Sequence, residues 1–182
     1  SYVGYALYNW KRLDNKKPFE LGNIDTLQNF VNLYDEHWFI LVHVEIEAIA
    51  AKILKSITLY LIEPEQPINP LLVEIYSALL KIISALKRIP EHMSPNLYFK
   101  YFRPYIRFFE NVVYEGVNIK PINHRGETGA QSSIMPTLVA FMKIPHSATT
   151  LTNHLKDMRC YMPRGHRTFI DKVEVYPSIK NR

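Results

Sequence analysis

Apolar residues recur along most of this chain at the three-to-four spacing of helices rather than in the alternation of strands. In residues 23–34 the positions Ile24, Leu27, Phe30, Val31 and Leu33 follow a helical stripe. Residues 35–61 predict a long helix in which Phe39, His43, Ile46, Glu47 and Ala50 share one face. Most of its other positions are apolar too, so this helix is expected to be buried on several sides. Residues 69–88 predict a third helix with Leu72, Ile75, Leu79, Ile82 and Leu86 inward, and Asn69-Pro70 supplies its cap and first-turn proline. Ser94-Pro95 repeats that start signal for a shorter helix to Phe102.

Arg103 precedes Pro104, whose ring disfavours the helical conformation for the residue before it, so Arg103 is expected at a helix break. A shorter helical piece to Asn111 follows. Residues 112–130 then show no clear periodicity and hold three of the six glycines; a loop that long inside a compact domain is usually functional. Residues 132–142, 150–161 and 164–173 predict three more helices, while the opening 22 residues are aromatic and irregular. The expected architecture is an all-α helical bundle in which residues 1–182 form a single domain.

Composition narrows the function classes. With 47% hydrophobic residues the chain is not of the disordered class. Its net charge of +5 is spread along the sequence among interleaved acids, which argues against a nucleic-acid track. A single cysteine, Cys160, excludes an internal disulfide and a cysteine-rich zinc site, and fits a cytoplasmic location. The opening residues, Ser1 to Asn9, lack the features of a secretory leader. The most apolar stretches, residues 38–46 and 48–62, are interrupted by His43, Glu45, Glu47, Lys52 and Lys55, and no unbroken run reaches the roughly 18 residues that cross a bilayer. No membrane span is expected.

Three places could carry chemistry. His43 sits in the middle of a strongly apolar helix, either as a core histidine bonded to a neighbouring carbonyl or as a metal pair with Glu47 at i, i+4. Arg103 is flanked by Tyr98, Phe99, Tyr101, Phe102 and Tyr105. Its guanidinium either stacks on those rings or grips a carboxylate bidentately in an aromatic pocket, a site suited to an aromatic amino acid. The stretch from Arg125 to Ser133 combines small residues and hydroxyls ahead of a helix, as an anion site or as a plain cap. Ser132 and Ser133 raise a hydrolase reading, but no Gly-x-Ser-x-Gly elbow is present.

These segments resemble, in order and spacing, the large haem domain of the indoleamine 2,3-dioxygenase family. The most specific stretches are Val113-Tyr114-Glu115-Gly116, Gly129-Ala130-Gln131-Ser132-Ser133, and Asp157-Met158-Arg159 with Tyr161-Met162-Pro163 and His166-Arg167. Asn9-Trp10 and Leu21-Gly22-Asn23 add to the match upstream. The resemblance implies an iron-containing haem b cofactor and an oxidoreductase of tryptophan catabolism in the kynurenine pathway. Its reaction inserts O2 across the indole 2,3 bond of L-tryptophan or a related indoleamine to give N-formylkynurenine. A homo-oligomer is compatible with it. The alternative is a non-catalytic haem- or indole-binding module of the same fold.

By position, Phe39 matches the distal aromatic residue above the haem, and Tyr98 and Phe99 match the rings that pack on the indole. Arg103 matches the arginine that holds the substrate carboxylate. Thr128, with Gly129 and Ala130 beside it, matches the loop that contacts the cofactor and the substrate ammonium. His43 stands where the animal indoleamine enzymes carry serine and the related tryptophan 2,3-dioxygenases carry histidine, and is expected to accept a hydrogen bond from the indole N–H. Glu127 and Ala130 replace glycines expected in that loop. None of the seven histidines matches the proximal haem ligand. The resemblance puts that ligand beyond Arg182 and a small domain ahead of Ser1, so the chain is expected to be truncated at both ends and inactive as a fragment.

Overall fold

The computed structural model describes residues 1–63, 65–117 and 120–177. The chain opens on a short π-helical turn, Val3–Leu7, and a minimal antiparallel ladder, β1 (Lys11–Arg12) with β2 (Ile24–Asp25). The long helix α1 (Tyr34–Ile62) follows, then α2 (Ile68–Lys87) and two short turns, α3 (Ile89–His92) and α4 (Pro95–Leu97). A second π-helical turn, Tyr98–Phe102, runs directly into α5 (Arg103–Ile106). The hairpin β3 (Phe109–Val112) and β4 (Ile122–His124) precedes α6 (Ile134–Met142), α7 (Thr150–Arg159) and α8 (Arg164–Val175). The predominantly helical architecture agrees with the sequence reading.

Helix α1 is the spine. Its inner residues Val42, Ile46, Ala50, Ile53, Ile57 and Tyr60 share one core with Leu71, Ile75, Ala78, Ile82 and Ala85 of α2 and with Ile134, Leu138 and Phe141 of α6. Ile170 and Val173 of α8 close that core. The buried stripe of α2 therefore differs from the expected one: Leu72 and Leu79 are half-buried and Leu86 is exposed. Small alanines at 78 and 85 take the buried places instead. The stretch Ile68–His92 is, by length and composition, long and apolar enough to cross a membrane, contrary to the expectation from unbroken runs. Its inner face packs in the core with α1.

One predicted helix is not formed and another is cut short. Residues 26–33 run as turns because side chains capture their backbone. Asn9 accepts from the Leu27 and Gln28 amides at 3.1 and 2.9 Å and donates to the Gln28 carbonyl at 2.8 Å. The fully buried Glu36 accepts from the Phe30 and Val31 amides at 2.9 and 2.8 Å. Such local bonds compete with a helical ladder, and here they win. The expected helical piece to Asn111 ends at Ile106 instead, where Arg107 turns extended and Asn111 takes a positive φ of 55°. The segment that lacked periodicity is in part this hairpin, with Phe109 opposite His124.

A second, smaller core lies on the other side of α1, where Ile40, Leu41 and Val44 meet Tyr5, Ile24, Phe102 and Ile106. Phe39 and Tyr98 pack at its margin.

Candidate functional site

His43 is held by its own helix. Its Nδ1 lies 2.7 Å from the carbonyl oxygen of Phe39, one turn earlier. A carbonyl can only accept, so Nδ1 carries the proton and Nε2 presents a lone pair. Burial pushes the imidazole pKa below its ordinary value, outweighing the Phe39 carbonyl, so the ring is neutral at physiological pH. Among the described residues nothing hydrogen-bonds to Nε2. The ring packs against Phe39 at 4.4 Å between centroids and meets Tyr2 edge-on at 6.4 Å. Glu47, weighed from sequence as a metal partner for His43, is otherwise engaged: it accepts from the Tyr2 hydroxyl at 2.8 Å and the Ser132 hydroxyl at 2.6 Å. Among the described residues no group of three metal-ligating side chains forms.

The aromatic run is placed by the π-turn. The Arg103 amide donates to the Tyr98 carbonyl, five residues back, so Arg103 stays in helical conformation (φ −49°, ψ −36°) instead of breaking the helix ahead of Pro104. The wider turn absorbs the proline ring, a device often found at functional sites. Tyr98 contacts Phe39 at 5.4 Å and Phe102 at 5.2 Å. Phe99 stands edge-on to Tyr98 at 5.4 Å, with 70% of its surface exposed. Arg103 is exposed, and its guanidinium lies close enough to the Tyr98 hydroxyl to draw its pKa down. Burial and Glu127 push that hydroxyl up, and burial wins. His43, Phe39 and Tyr98 are thus linked ring to ring, with the Arg103 guanidinium near the Tyr98 hydroxyl.

The loop ahead of α6 is built on Gly126, whose φ of +69° and close approach to the carbonyls of Ile106 and Arg107 leave no room for a Cβ. Thr128 caps a 3-10 turn, Gly129–Gln131, its hydroxyl accepting from the Ala130 amide at 3.3 Å. Gln131 accepts from the Tyr2 amide at 2.9 Å and donates to the Gly126 carbonyl at 3.0 Å. This network, with Glu47 and Ser132, ties the opening segment to α1 and to the loop. Sequence reasoning missed it, although Glu47, a carboxylate in an apolar stretch of α1, was its visible signal.

Glu127 is the unexpected member. It is buried, and burial raises its carboxyl pKa to about 7 against the pull of Arg103. Burial chiefly raises the hydroxyl pKa values of Tyr2, Tyr5 and Tyr98, and the field of Glu127 adds to it. The Tyr5 hydroxyl is itself buried without a partner among the described residues. Beside Glu127 opens a cleft of about 420 Å³, lined by neither His43, Phe39, Tyr98 nor Arg103. Elsewhere, the Ser133 hydroxyl lies 3.0 Å from His166 Nδ1, but among the described residues no carboxylate orients that imidazole, and a hydrolase triad is not assembled.

The family model described as indoleamine 2,3-dioxygenase matches residues 1–182. Indoleamine 2,3-dioxygenase 1 of Rattus norvegicus is 29% identical over 99% of this chain and 47% of its own length. Indoleamine 2,3-dioxygenase of Saccharomyces cerevisiae is 28% identical over 99% of this chain and 46% of its own. A protein named myoglobin, from Haliotis madaka, is 31% identical over 52% of this chain and 27% of its own length. The chain spans about half the length of the two dioxygenases it matches from end to end. Covered by the family model from its first residue to its last, the chain belongs to the indoleamine 2,3-dioxygenase family.

Proposed function

We propose that the protein acts as a haem-dependent dioxygenase that opens the indole ring of L-tryptophan between C2 and C3, giving N-formylkynurenine. The observation that carries this reading is the state of His43: a neutral imidazole with Nδ1 committed to the Phe39 carbonyl and Nε2 free to accept from an indole N–H. The surroundings fit a haem on this side. Phe39 and Tyr98 give an apolar aromatic margin, and the unprotonated Nε2 puts no charge against a planar porphyrin. Haem, when bound, supplies the iron chemistry that activates O2.

The residues of this chain bind and orient. Arg103 grips the substrate carboxylate with its planar fork. Phe39 and Tyr98 pack on the indole, and Phe99 stands next to them on the π-turn. His43 fixes the indole N–H, which orients C2 and C3. Thr128 accepts from Ala130 and keeps its own proton to donate, while Gly129 and Ala130 border the cofactor. The test is turnover by the intact protein, given haem, a reductant, air and L-tryptophan. N-formylkynurenine is the expected product, and its absence from a protein that shows a haem spectrum overturns the proposal.

A second reading has one specific support, the similarity to a relative named myoglobin. On it, the protein holds haem and O2 without turnover. A long-lived oxygen adduct that decays without consuming tryptophan would favour it.

A further inference from the structure

The groove between α7 and α8 gathers cations that the proposed function leaves without a task. A cleft of about 380 Å³ opens there, lined by Lys156 and Arg159 of α7 and by Arg164, Arg167, Thr168 and Asp171 of α8. Arg159 is already neutralised. Its two terminal nitrogens each lie 2.6 Å from a carboxylate oxygen, one of Asp171 and one of Glu174, and these pairs tie α7 to α8. Asp171 stands one turn after Arg167, at the spacing of a helical ion pair, yet it is spent on Arg159. Lys156, Arg164 and Arg167 are left with no ion-pair partner among the described residues.

Arg167 carries the second signal. Its Nε is buried and has no hydrogen-bond partner among the described residues. A donor shut away from water without an acceptor is costly, and a ligand oxygen would satisfy it. The Nε–H and a neighbouring terminal N–H form a planar fork that matches two oxygens of one oxyanion. The cleft is roomier than a phosphate group alone needs. Among the described residues its walls carry no aromatic ring and no Val, Leu, Ile or Met side chain, so the rest of the ligand should be hydroxylated.

We propose that this cleft binds the phosphate monoester of a small polyol. Arg167 grips two phosphate oxygens, Lys156 and Arg164 balance the dianion, and the hydroxylated remainder lies by Thr168. The site uses no residue assigned to haem or indole and does not depend on the proposed dioxygenase activity.

The test is calorimetric titration of the intact protein at about pH 8, where a phosphate monoester is a dianion, and at about 0.15 M ionic strength, which screens distant surface charge. Four probes separate the contributions: glycerol 3-phosphate, inorganic phosphate, phenyl phosphate and glycerol. Glycerol 3-phosphate is expected to bind saturably, one per chain, and more tightly than inorganic or phenyl phosphate, while glycerol shows no binding. Arg167→Ala should weaken glycerol 3-phosphate at least about tenfold, and Arg167→Lys, which keeps the charge without the fork, should recover only part of the loss. Lys172→Ala removes a charge from α8 outside the cleft and should change nothing. Non-saturable binding, inorganic or phenyl phosphate bound as tightly as glycerol 3-phosphate, undiminished affinity in a folded R167A, or an equal loss in K172A overturns the proposal. If R167A does not fold, the exposed Arg164→Ala decides: a loss of several-fold supports the site, and unchanged affinity overturns it.

Discussion

His43 Nδ1 and the Phe39 carbonyl oxygen, 2.7 Å apart along α1, fix both the tautomer and the orientation of the imidazole. The proton is spent inside the helix, and the lone pair on Nε2 is left for a ligand. With a substrate N–H in place the acceptor is satisfied; with an N-methyl group it is buried and unpaired. His43→Ala is therefore expected to lower kcat/KM for L-tryptophan by about tenfold or more and to narrow its margin over 1-methyltryptophan. Parallel kinetics on the two substrates measure this, and an unchanged margin would make His43 structural.

Arg103 lies outside both buried cores and contributes charge near Tyr98. Removing it should spare the fold and damage substrate binding. Arg103→Leu is expected to raise KM and reduce kcat/KM by about ten- to a hundredfold, the worth of a charge-assisted pair. Arg103→Lys keeps the charge without the fork and should recover only part of the loss. Native tryptophan kinetics in the leucine variant would remove the assignment.

Helices with a continuous apolar stripe were legible in the sequence. α1, α2, α6, α7 and α8 form within a residue or two of where periodicity puts them, because burial of one face decides α1, α2, α6 and α8 and a Thr149–Thr152 capping box starts α7. The failures have separate causes. Around Leu27 and Phe30 the stripe is real, but Asn9 and Glu36 claim the backbone amides through bonds reaching back 19 and 5 residues or so, which a local pattern does not encode. At Arg103 the proline rule predicts a break, and a π-turn accommodates the ring while keeping the helical direction. At the site, Phe39, His43, Tyr98 and Arg103 were identified and lie together. Glu127 was read as a loop substitution, and its burial is visible only once Tyr5, Tyr105 and the Gly126 turn enclose it.

Gly126 tests that enclosure. A Cβ there would meet the Ile106 and Arg107 carbonyls, and φ is +69°. Gly126→Ala is expected to cost about 2 kcal/mol or more in chemical denaturation. Gly129→Ala, with nothing within 4 Å of the added carbon, should cost about 0.5 kcal/mol or less. Equal effects of the two would contradict the described loop.

Glu127 should make stability depend on pH. Its folded pKa of about 7 stands above the ordinary 4.5, so the folded state holds the proton more tightly than the unfolded state. Its contribution is most favourable below pH 4.5 and is lost as pH rises through about 7. The stability of the unsubstituted protein relative to Glu127→Gln should fall by up to about 3 kcal/mol across that window. Denaturation midpoints of the two proteins at several pH values report it. A constant difference would show that Glu127 is not desolvated.

Incorporation of isotopically labelled dioxygen into product probes the proposed activity most directly. Intact protein carrying ferrous haem, given L-tryptophan under labelled O2, should yield N-formylkynurenine in which both new oxygen atoms carry the label. A haem-loaded protein that binds the gas yet leaves tryptophan intact, or a product labelled at neither position, contradicts it.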